Sequence, residues 1–204
     1  MKLKVCGMKY QDNINEVALL QPDYLGFIFY EKSARHFESV IPEISKSIKK
    51  VGVFVDADIE EVIKTIKKHH LHAVQLHGHE TPEYCKNLQS QDIEITKVFS
   101  IKDQFNFNDL KPYEKVCDYF LFDTKGKSPG GNGYTFDWSI LNNYTSTKPF
   151  FLSGGIGLAE IHKIKLFQKS KASKYCYALD INSQFEIEPG LKDIEKIKIF
   201  KSQL

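Results

Sequence analysis

The sequence predicts an α/β protein, and within that class a single (β/α)8 barrel, the TIM-barrel fold, over residues 1–204. Short β-rich runs alternate with helical patterns along the chain at intervals of roughly 20 to 27 residues. Such alternation is typical of a parallel sheet with helical crossovers, and eight strand–helix units can close into a barrel. The length of 204 residues suits one well-buried core better than two.

The strands are assigned to apolar runs too short for helices. The helices are placed by their start signals: Asp12 as an N-cap, Pro42 in a first turn, and Thr81 as a cap before Pro82. The predicted strands are 3–6, 24–30, 51–55, 73–76, 93–99, 119–122, 150–152 and 175–181. The predicted helices cover about 12–20, the segment from 42, 59–69, the segment from 82, 106–113, and the segments from 135, from 158 and over 191–200.

An open doubly wound sheet is the alternative architecture. It would normally carry a glycine fingerprint directly after the first strand. Here the loop after the first strand reads CGMK, and the glycine-rich loops come late in the chain. The sequence therefore favours the closed barrel.

The amino-acid composition argues against some classes of function. Hydrophobic residues make up 42% and charged residues 26%, and the net charge of +2 is spread along the chain. This argues against a nucleic-acid protein with a basic patch and agrees with a small anionic ligand. No apolar run is long enough for a signal peptide or a membrane span, so we expect no membrane partner and a cytoplasmic location. The four cysteines form no Cys-x-x-Cys pair, which indicates free thiols rather than zinc or a redox dithiol: Cys6, Cys85, Cys117 and Cys176.

Chemistry is expected where the strands end, because the active site of a (β/α)8 barrel lies at that face. Asp123 ends a buried strand and precedes a glycine-rich loop. A low-dielectric site favours the protonated carboxyl group, so Asp123 is a candidate general acid as well as a candidate loop cap. Cys6 ends the first strand, and it is either a small buried hydrophobe or a general base activated by a nearby cation.

Anion binding is predicted at two places. Arg35 could clamp a carboxylate with two parallel hydrogen bonds, or be a solvated loop charge. Gly154 and Gly155 follow the seventh strand, where barrels commonly bind a phosphate between the last two strand-end loops. Asn182 and Ser183, after the eighth strand, could complete that phosphate site.

Three further features have simple interpretations. Asp180 ends the eighth strand, and a sugar hydroxyl is its natural partner. The clustered histidines do not predict a metal site, because His77 and His79 have no carboxylate and cysteine companions in ligand spacing. The other three of the cluster end a predicted helix: His69, His70 and His72. The lysines of the last predicted helix are expected to form a solvated face.

A series of short sequence blocks runs from end to end of the chain. The blocks are KVCG at 4–7, GFIFY at 26–30 with Lys32, Ser33 and Arg35, VGVFV at 51–55, VQLHG at 74–78, LFDTK at 121–125, GG at 130–131, TFDW at 135–138, LSGG at 152–155, Asp180, and EPGLKD at 188–193. Taken together, they closely resemble the motifs of the phosphoribosylanthranilate isomerases of tryptophan biosynthesis. They occur in family order, and the combination is far more specific than any one block.

The resemblance implies a cofactor-independent barrel that isomerises N-(5-phosphoribosyl)anthranilate to the aminodeoxyribulose phosphate by an Amadori rearrangement. Cys6 would remove the proton from C2 of the sugar, and Asp123 would protonate the ring oxygen. Arg35 would bind the anthranilate carboxylate. The remaining substrate-binding residues implied are Asp180, Gly154, Gly155, Asn182, Ser183, Gln75 and His77.

Some positions depart from the family pattern, and alternatives remain. Gly157-Leu158 stands where the family usually has Asn-Pro, and Tyr134 replaces a family lysine. After the strand-eight aspartate the family often has Ser-Gly, where this chain has INSQ at 181–184. These changes affect the expected phosphate contacts rather than Cys6 and Asp123. The rivals are indole-glycerol-phosphate synthase, the paired-aspartate isomerase of histidine synthesis, and a non-catalytic phosphate-binding barrel. The sequence leaves monomer and homodimer open, and it predicts that residues 125–133 form a lid over the aromatic ring.

Overall fold

The fold is a closed barrel of eight parallel strands, as the alternation of strands and helices predicts. A computed structural model describes residues 1–124 and 135–204. The strands pair in sequence order from β1 to β8, and β8 pairs with β1 to close the barrel. Their bounds are β1 Lys2–Val5, β2 Tyr24–Ile28, β3 Lys49–Phe54, β4 Ala73–Leu76, β5 Glu94–Ile101, β6 Tyr119–Thr124, β7 Phe150–Leu152 and β8 Cys176–Ile181.

Helices connect most of the strands, and several of them are short. A small antiparallel pair, β9 Glu186–Glu188 and β10 Leu191–Lys192, follows β8. The α-helices are α1 Gln11–Leu19, α2 Ile59–His69, α3 Pro82–Leu88, α4 Ile161–Phe167 and α5 Ile194–Gln203. The 3₁₀ helices are Gln89–Gln91, Phe107–Tyr113, Trp138–Asn143, Leu158–Glu160, Ala172–Tyr175 and Ser183–Phe185.

Two apolar clusters hold the barrel together, one on each face of the sheet. The larger lies between strands and helices, and the smaller fills the barrel interior around Tyr24, Leu121 and Phe151. Because strands of a parallel barrel are buried on both faces, their sequences are nearly continuous apolar runs. Polar residues inside these runs are therefore exceptions, and three of them, Gln75, Asp123 and Asp180, line the cleft described below.

The helix predicted to begin near Pro42 is not formed. Residues 41–45 have no regular structure, although Ile41 and Ile48 are buried as a helical period would require. Ser45 Oγ accepts from the Ser47 N–H, and the Ser45 carbonyl accepts from the Ile48 N–H. Local serine bonds of this kind offer the backbone an alternative to helix formation, so the apolar side chains are buried from a loop.

Other element starts also differ from prediction. The helix predicted from 135 is a 3₁₀ helix that begins at Trp138, with Asp137 as its N-cap. Helix α1 begins at Gln11 with Tyr10 as its N-cap, so Asp12 lies in the first turn instead of capping it. The last helix begins at Ile194, because the Asp193 side chain accepts from the Lys196 N–H at 3.0 Å and ends the preceding strand pair. Among the helices of the described residues, none is both long and apolar enough to cross a membrane.

Candidate active site

All ten residues predicted for the site lie around one cleft at the carboxyl ends of the strands. The cleft encloses about 690 Å³, including space open to solvent. Because these residues come from distant parts of the chain, their convergence depends on closure of the barrel. The ten are Cys6, Arg35, Gln75, His77, Asp123, Gly154, Gly155, Asp180, Asn182 and Ser183.

Cys6 directly follows β1, and its residue is 4% exposed. The sulfur packs against β2 where that strand has Gly26, and a Cβ at Gly26 would lie 2.8 Å from Sγ. Burial raises the pKa of the Cys6 thiol, and the nearby ammonium of Lys4 opposes this effect. Asp180 raises the pKa further and Lys192 lowers it. Burial and Asp180 thus favour the thiol form of Cys6, and the two ammonium groups favour the thiolate.

Asp123 occupies the end of β6 and is 4% exposed. Its Oδ1 accepts from the Thr124 N–H at 2.9 Å. Its Oδ2 lies 3.3 Å from Nε2 of His77, within ion-pair distance but without hydrogen-bond geometry. Nδ1 of His77 lies 3.2 Å from Nε2 of Gln75. Asp123 is thus in a row with the side chains of Gln75, on β4, and His77, directly after β4.

Asp180 on β8 is paired with Lys4 on the neighbouring strand β1. Lys4 Nζ donates to Asp180 Oδ2 at 2.8 Å, and the two side chains are 2% and 4% exposed. Burial lowers the pKa of Lys4, but Asp180 and Cys6 outweigh burial and raise it above the ordinary value, so the group stays an ammonium. Oδ1 of Asp180 has no donor among the described residues. It is a buried acceptor on a residue that lines the cleft.

Arg35 is held by a buried carboxylate instead of being free. Its Nη2 donates to Glu186 Oε2 at 2.6 Å, and its Nε donates to Oε1 at 2.9 Å. Lys192 Nζ donates to the same carboxylate at 2.7 Å and to Asn182 Oδ1 at 2.7 Å. Two cations therefore share one anion beside the cleft, an arrangement that favours a further anion there.

Gly154 and Gly155 form the turn after β7. Gly154 has a φ of +88°, and a Cβ there would lie 2.2 Å from Thr124 Oγ1, so the turn requires glycine. Within residues 1–124 and 135–204, the N–H groups of these two glycines have no acceptor. The Gly157 N–H is already bound by the Glu160 carboxylate at 2.9 Å. Among the described residues, the turn therefore offers N–H donors for an anion, whereas the Gly157 N–H is already occupied.

Three buried charged residues of this region are absent from the sequence prediction: Lys4, Glu186 and Lys192. Lys4 has a signal, since it stands two residues before Cys6 on the same face of a strand. Lys192 was assigned to a solvated helix face, and this is wrong. Its side chain is 0% exposed, because the last helix begins after it.

No group of three His, Cys, Asp or Glu side chains in the described part of the chain is arranged to hold a metal ion. All four cysteines are free thiols. The predicted lid over 125–133 lies outside the described residues.

Comparisons with known proteins identify relatives along the whole chain. The family model for N-(5'phosphoribosyl)anthranilate (PRA) isomerase matches residues 3–203. An N-(5'-phosphoribosyl)anthranilate isomerase from Parabacteroides distasonis is 44% identical to this chain, and the alignment covers 100% of this chain and 93% of the relative. One from Campylobacter jejuni is 38% identical, with 100% of this chain and 98% of the relative covered.

Solved structures agree with the sequence relatives. Phosphoribosyl anthranilate isomerase from Thermotoga maritima superposes with a TM-score of 0.85 at 28% identity, over 100% of this chain and 98% of the other. A further phosphoribosyl anthranilate isomerase superposes with a TM-score of 0.79 at 25% identity, over 100% and 97% of the two chains. That protein was solved in complex with reduced 1-(o-carboxyphenylamino)-1-deoxyribulose 5-phosphate.

Proposed function

Because this chain belongs to the phosphoribosylanthranilate isomerase family, we propose that it converts N-(5-phosphoribosyl)anthranilate to 1-(2-carboxyphenylamino)-1-deoxyribulose 5-phosphate by acid–base catalysis. The enzyme would serve tryptophan biosynthesis in the cytoplasm. The observation that carries the proposal is the single cleft in which a buried thiol, a buried carboxyl group and two anion-binding regions meet. A substrate with a carboxylate at one end and a phosphate at the other could place one anion in each of these two regions.

Asp123 is the proposed general acid. Opening the furanose ring requires a proton on the ring oxygen, which is otherwise a poor leaving group. Asp123 donates that proton as the C1–O bond breaks, and the nitrogen lone pair forms the C1=N bond of a cationic Schiff base. Burial of the carboxyl group and its position at a strand end support this role.

Cys6 is the proposed general base. The cationic imine acidifies the hydrogen on C2, so a thiolate of moderate basicity is sufficient to remove it. The C2–H electron pair forms the C1=C2 bond, and the C=N pair returns to nitrogen. The enol then becomes the ketone by moving its proton from oxygen to C1. Cys6 gains the one proton that Asp123 loses, so its return through water resets the site and no other reactant is needed.

Lys4 and Lys192 support the thiolate. The free thiol is buried, and both ammonium groups act to lower its pKa against that burial. The buried Oδ1 of Asp180 is suited to accept a hydrogen bond from the bridging nitrogen or a sugar hydroxyl. Such a contact would hold C2 of the sugar near the Cys6 sulfur, so that substrate binding also orients the reacting atoms.

The two ends of the substrate are assigned to the two anion-binding regions. Among the described residues Arg35 Nη1 has no acceptor, so we assign it to the anthranilate carboxylate while Glu186 holds Nε and Nη2. The N–H groups of Gly154 and Gly155, which have no acceptor in the described part of the chain, are assigned to the phosphate together with Asn182 and Ser183.

A direct assay tests the activity. Phosphoribosylanthranilate is fluorescent, so we expect the purified protein to remove its fluorescence catalytically and to restore growth of a strain that lacks the isomerase. Ligand binding without turnover would identify a non-catalytic phosphate-binding barrel instead. Turnover of the histidine-pathway aminoaldose in place of phosphoribosylanthranilate would indicate the related isomerase.

A further inference from the structure

The side-chain amide of Asn182 lies beside Arg35, over the glycine that follows β1. A Cβ at Gly7 would lie 2.7 Å from Asn182 Oδ1 and 2.8 Å from Arg35 Cδ, so both side chains pack against the bare backbone of this residue. In the barrel, β1 lies between β8 and β2. The amide therefore reaches from the end of β8 across the end of β1, towards the loop that carries Arg35.

A buried lysine decides the orientation of the Asn182 amide. Lys192 Nζ donates to Asn182 Oδ1 at 2.7 Å and to Glu186 Oε1 at 2.7 Å, and its side chain is 0% exposed. An ammonium group can only donate, so the atom that it bonds must be the amide oxygen. The NH2 group, Nδ2, has no acceptor in the described part of the chain. Since Asn182 lines the cleft and Nδ2 is not enclosed by protein, a ligand can reach this donor.

The lysine is itself held in place by helix α1. Asn13, a buried residue of α1, donates from Nδ2 to the Lys192 carbonyl at 2.9 Å and accepts from the Lys192 N–H at 2.7 Å. One side chain thus binds both polar groups of the Lys192 backbone. Because the lysine is ordered by the fold itself, little conformational freedom is left to lose when a ligand binds beside it.

Arg35 leaves room for a second donor to a ligand carboxylate. Glu186 occupies Nε and Nη2, which form one side of the guanidinium. Nη1 is on the same side of the group as Cδ, the atom that packs over Gly7 beside Asn182. A carboxylate has two oxygens and about four lone-pair sites, so a bond from Nη1 leaves most of its capacity unused. Nδ2 of Asn182 is the neighbouring donor that can use it.

We propose that the Asn182 side chain determines specificity for the aromatic carboxylate: Nδ2 donates to one carboxylate oxygen, Arg35 Nη1 donates to the other, and Lys192 is the positioning residue that orients the amide. The inference rests on the proposed function and deepens its assignment of the carboxylate end. The main chain of Asn182 and Ser183 stays with the phosphate, and only the side-chain amide moves to the other end of the substrate.

The surrounding charges favour an anion at this point. Arg35 and Lys192 share the carboxylate of Glu186, whose side chain is 5% exposed. The Gly190 N–H also bonds this carboxylate, at 3.1 Å from Oε1. Two cations and one anion leave a net positive charge, and Asn182 adds a donor without adding a charge. A ligand carboxylate would neutralise the group.

Two ligands that differ only in the carboxyl group separate the two ends of the site. One is reduced 1-(o-carboxyphenylamino)-1-deoxyribulose 5-phosphate, and the other is the same compound with phenyl in place of carboxyphenyl. Both carry the phosphate, and neither contains the ketone, so binding is measured without turnover. Isothermal titration calorimetry gives the Kd of each ligand, and the ratio of the two Kd values is the preference for the carboxylate.

We expect Asn182→Asp to lower this preference by roughly 10- to 100-fold, because hydrogen bonds to charged groups have about this value. The aspartate keeps an oxygen for Lys192 but replaces the NH2 donor by an oxygen that repels the ligand carboxylate. Asn182→Ala removes the donor without adding a charge and should lower the preference by about 10-fold. Asn143→Asp is the matched control, since it makes the same change of charge at an exposed asparagine outside the cleft, and it should leave the preference unchanged.

An equal rise in the Kd of both ligands in Asn182→Ala would assign the amide to the phosphate and overturn the proposal. An unchanged Kd for both ligands in that variant would overturn it as well. A wild type that binds neither ligand would contradict the proposed function, and this inference with it.

Lys192→Met tests the positioning role. It should lower the preference for the carboxylate in the wild type, and much less in Asn182→Ala, because the amide through which Lys192 acts is then gone. Equal losses in the two backgrounds would show that Lys192 acts only as a cation and would overturn its positioning role.

Discussion

Arg35 donates three hydrogen bonds to Glu186: Nη2 lies 2.6 Å from Oε2, and Nε lies 2.9 Å from Oε1 and 3.0 Å from Oε2. The guanidinium is thereby fixed at the mouth of the cleft before any ligand binds. The N–H groups of Arg35 that do not bond Glu186 can bind and orient a substrate anion. We therefore expect Arg35 to contribute to substrate binding and not to proton transfer. A preset guanidinium loses little conformational freedom on binding a carboxylate.

Replacing Arg35 should therefore act on KM. We expect Arg35→Met to raise KM for the substrate by about 10- to 100-fold with a smaller change in kcat, because charge-assisted hydrogen bonds contribute about 1.5–3 kcal/mol. Steady-state kinetics measure both constants. Lys32→Met is the control, since Lys32 is an exposed cation in the same loop. An equal rise of KM in both variants would attribute the effect to net charge.

The buried pair of Lys4 and Asp180 joins β1 to β8, the two strands that close the barrel, and we expect it to contribute strongly to the free energy of unfolding. Lys4→Met leaves an unpaired buried carboxylate, so we expect the free energy of unfolding in urea to fall by about 3–5 kcal/mol. Lys2→Met is the matched control on the same strand, because its ion pair with Asp23 is solvent-exposed, and it should cost under about 1 kcal/mol. The double variant Lys4→Met/Asp180→Asn should recover part of the loss. Equal losses for Lys2→Met and Lys4→Met would contradict this account.

Lys192 should make stability depend on alkaline pH. Burial lowers its pKa from 10.5 to about 8, against the opposing effect of Glu186. Between these values the unfolded chain binds a proton that the folded protein has released, so the contribution of Lys192 to stability rises with pH across that window. We expect the unfolding free energy of the wild type, relative to Lys192→Met, to rise by up to about 3 kcal/mol from pH 8 to 10.5.

Urea titrations at several pH values measure this difference. Lys196→Met is the control, because the Lys196 side chain is 44% exposed, and its difference from the wild type should stay flat over the same window. A flat difference for Lys192→Met would show that its ammonium is not destabilised by burial.

The fold could be predicted from the sequence because the short apolar runs of the strands and the helical patterns between them were both visible in it. Buried strands of a parallel barrel appear as apolar runs, and Thr81 and Pro82 mark a helix start that the structure reproduces. The segment after β2 could not be predicted, because its isoleucines follow a helical period while local serine bonds hold the backbone in a loop.

The site was predictable where a residue stands at a strand end, as Cys6 and Asp123 do. It was not predictable where buried charges pair across the barrel. Nothing in the sequence near Arg35 indicates that Glu186 will bind it, because 151 residues separate the two. Lys192 was also hidden, since a lysine between a strand pair and a helix is normally exposed.

The central claim is that Cys6 is the base and Asp123 the acid, and turnover of Cys6→Ala and Asp123→Asn tests it most directly. Cys176→Ala and Asp12→Asn are the controls, because both residues lie outside the cleft. General acid–base groups contribute about 10²- to 10⁴-fold, so we predict a loss of that size in kcat for each site variant and none for the controls. Near wild-type kcat in either Cys6→Ala or Asp123→Asn would contradict the account.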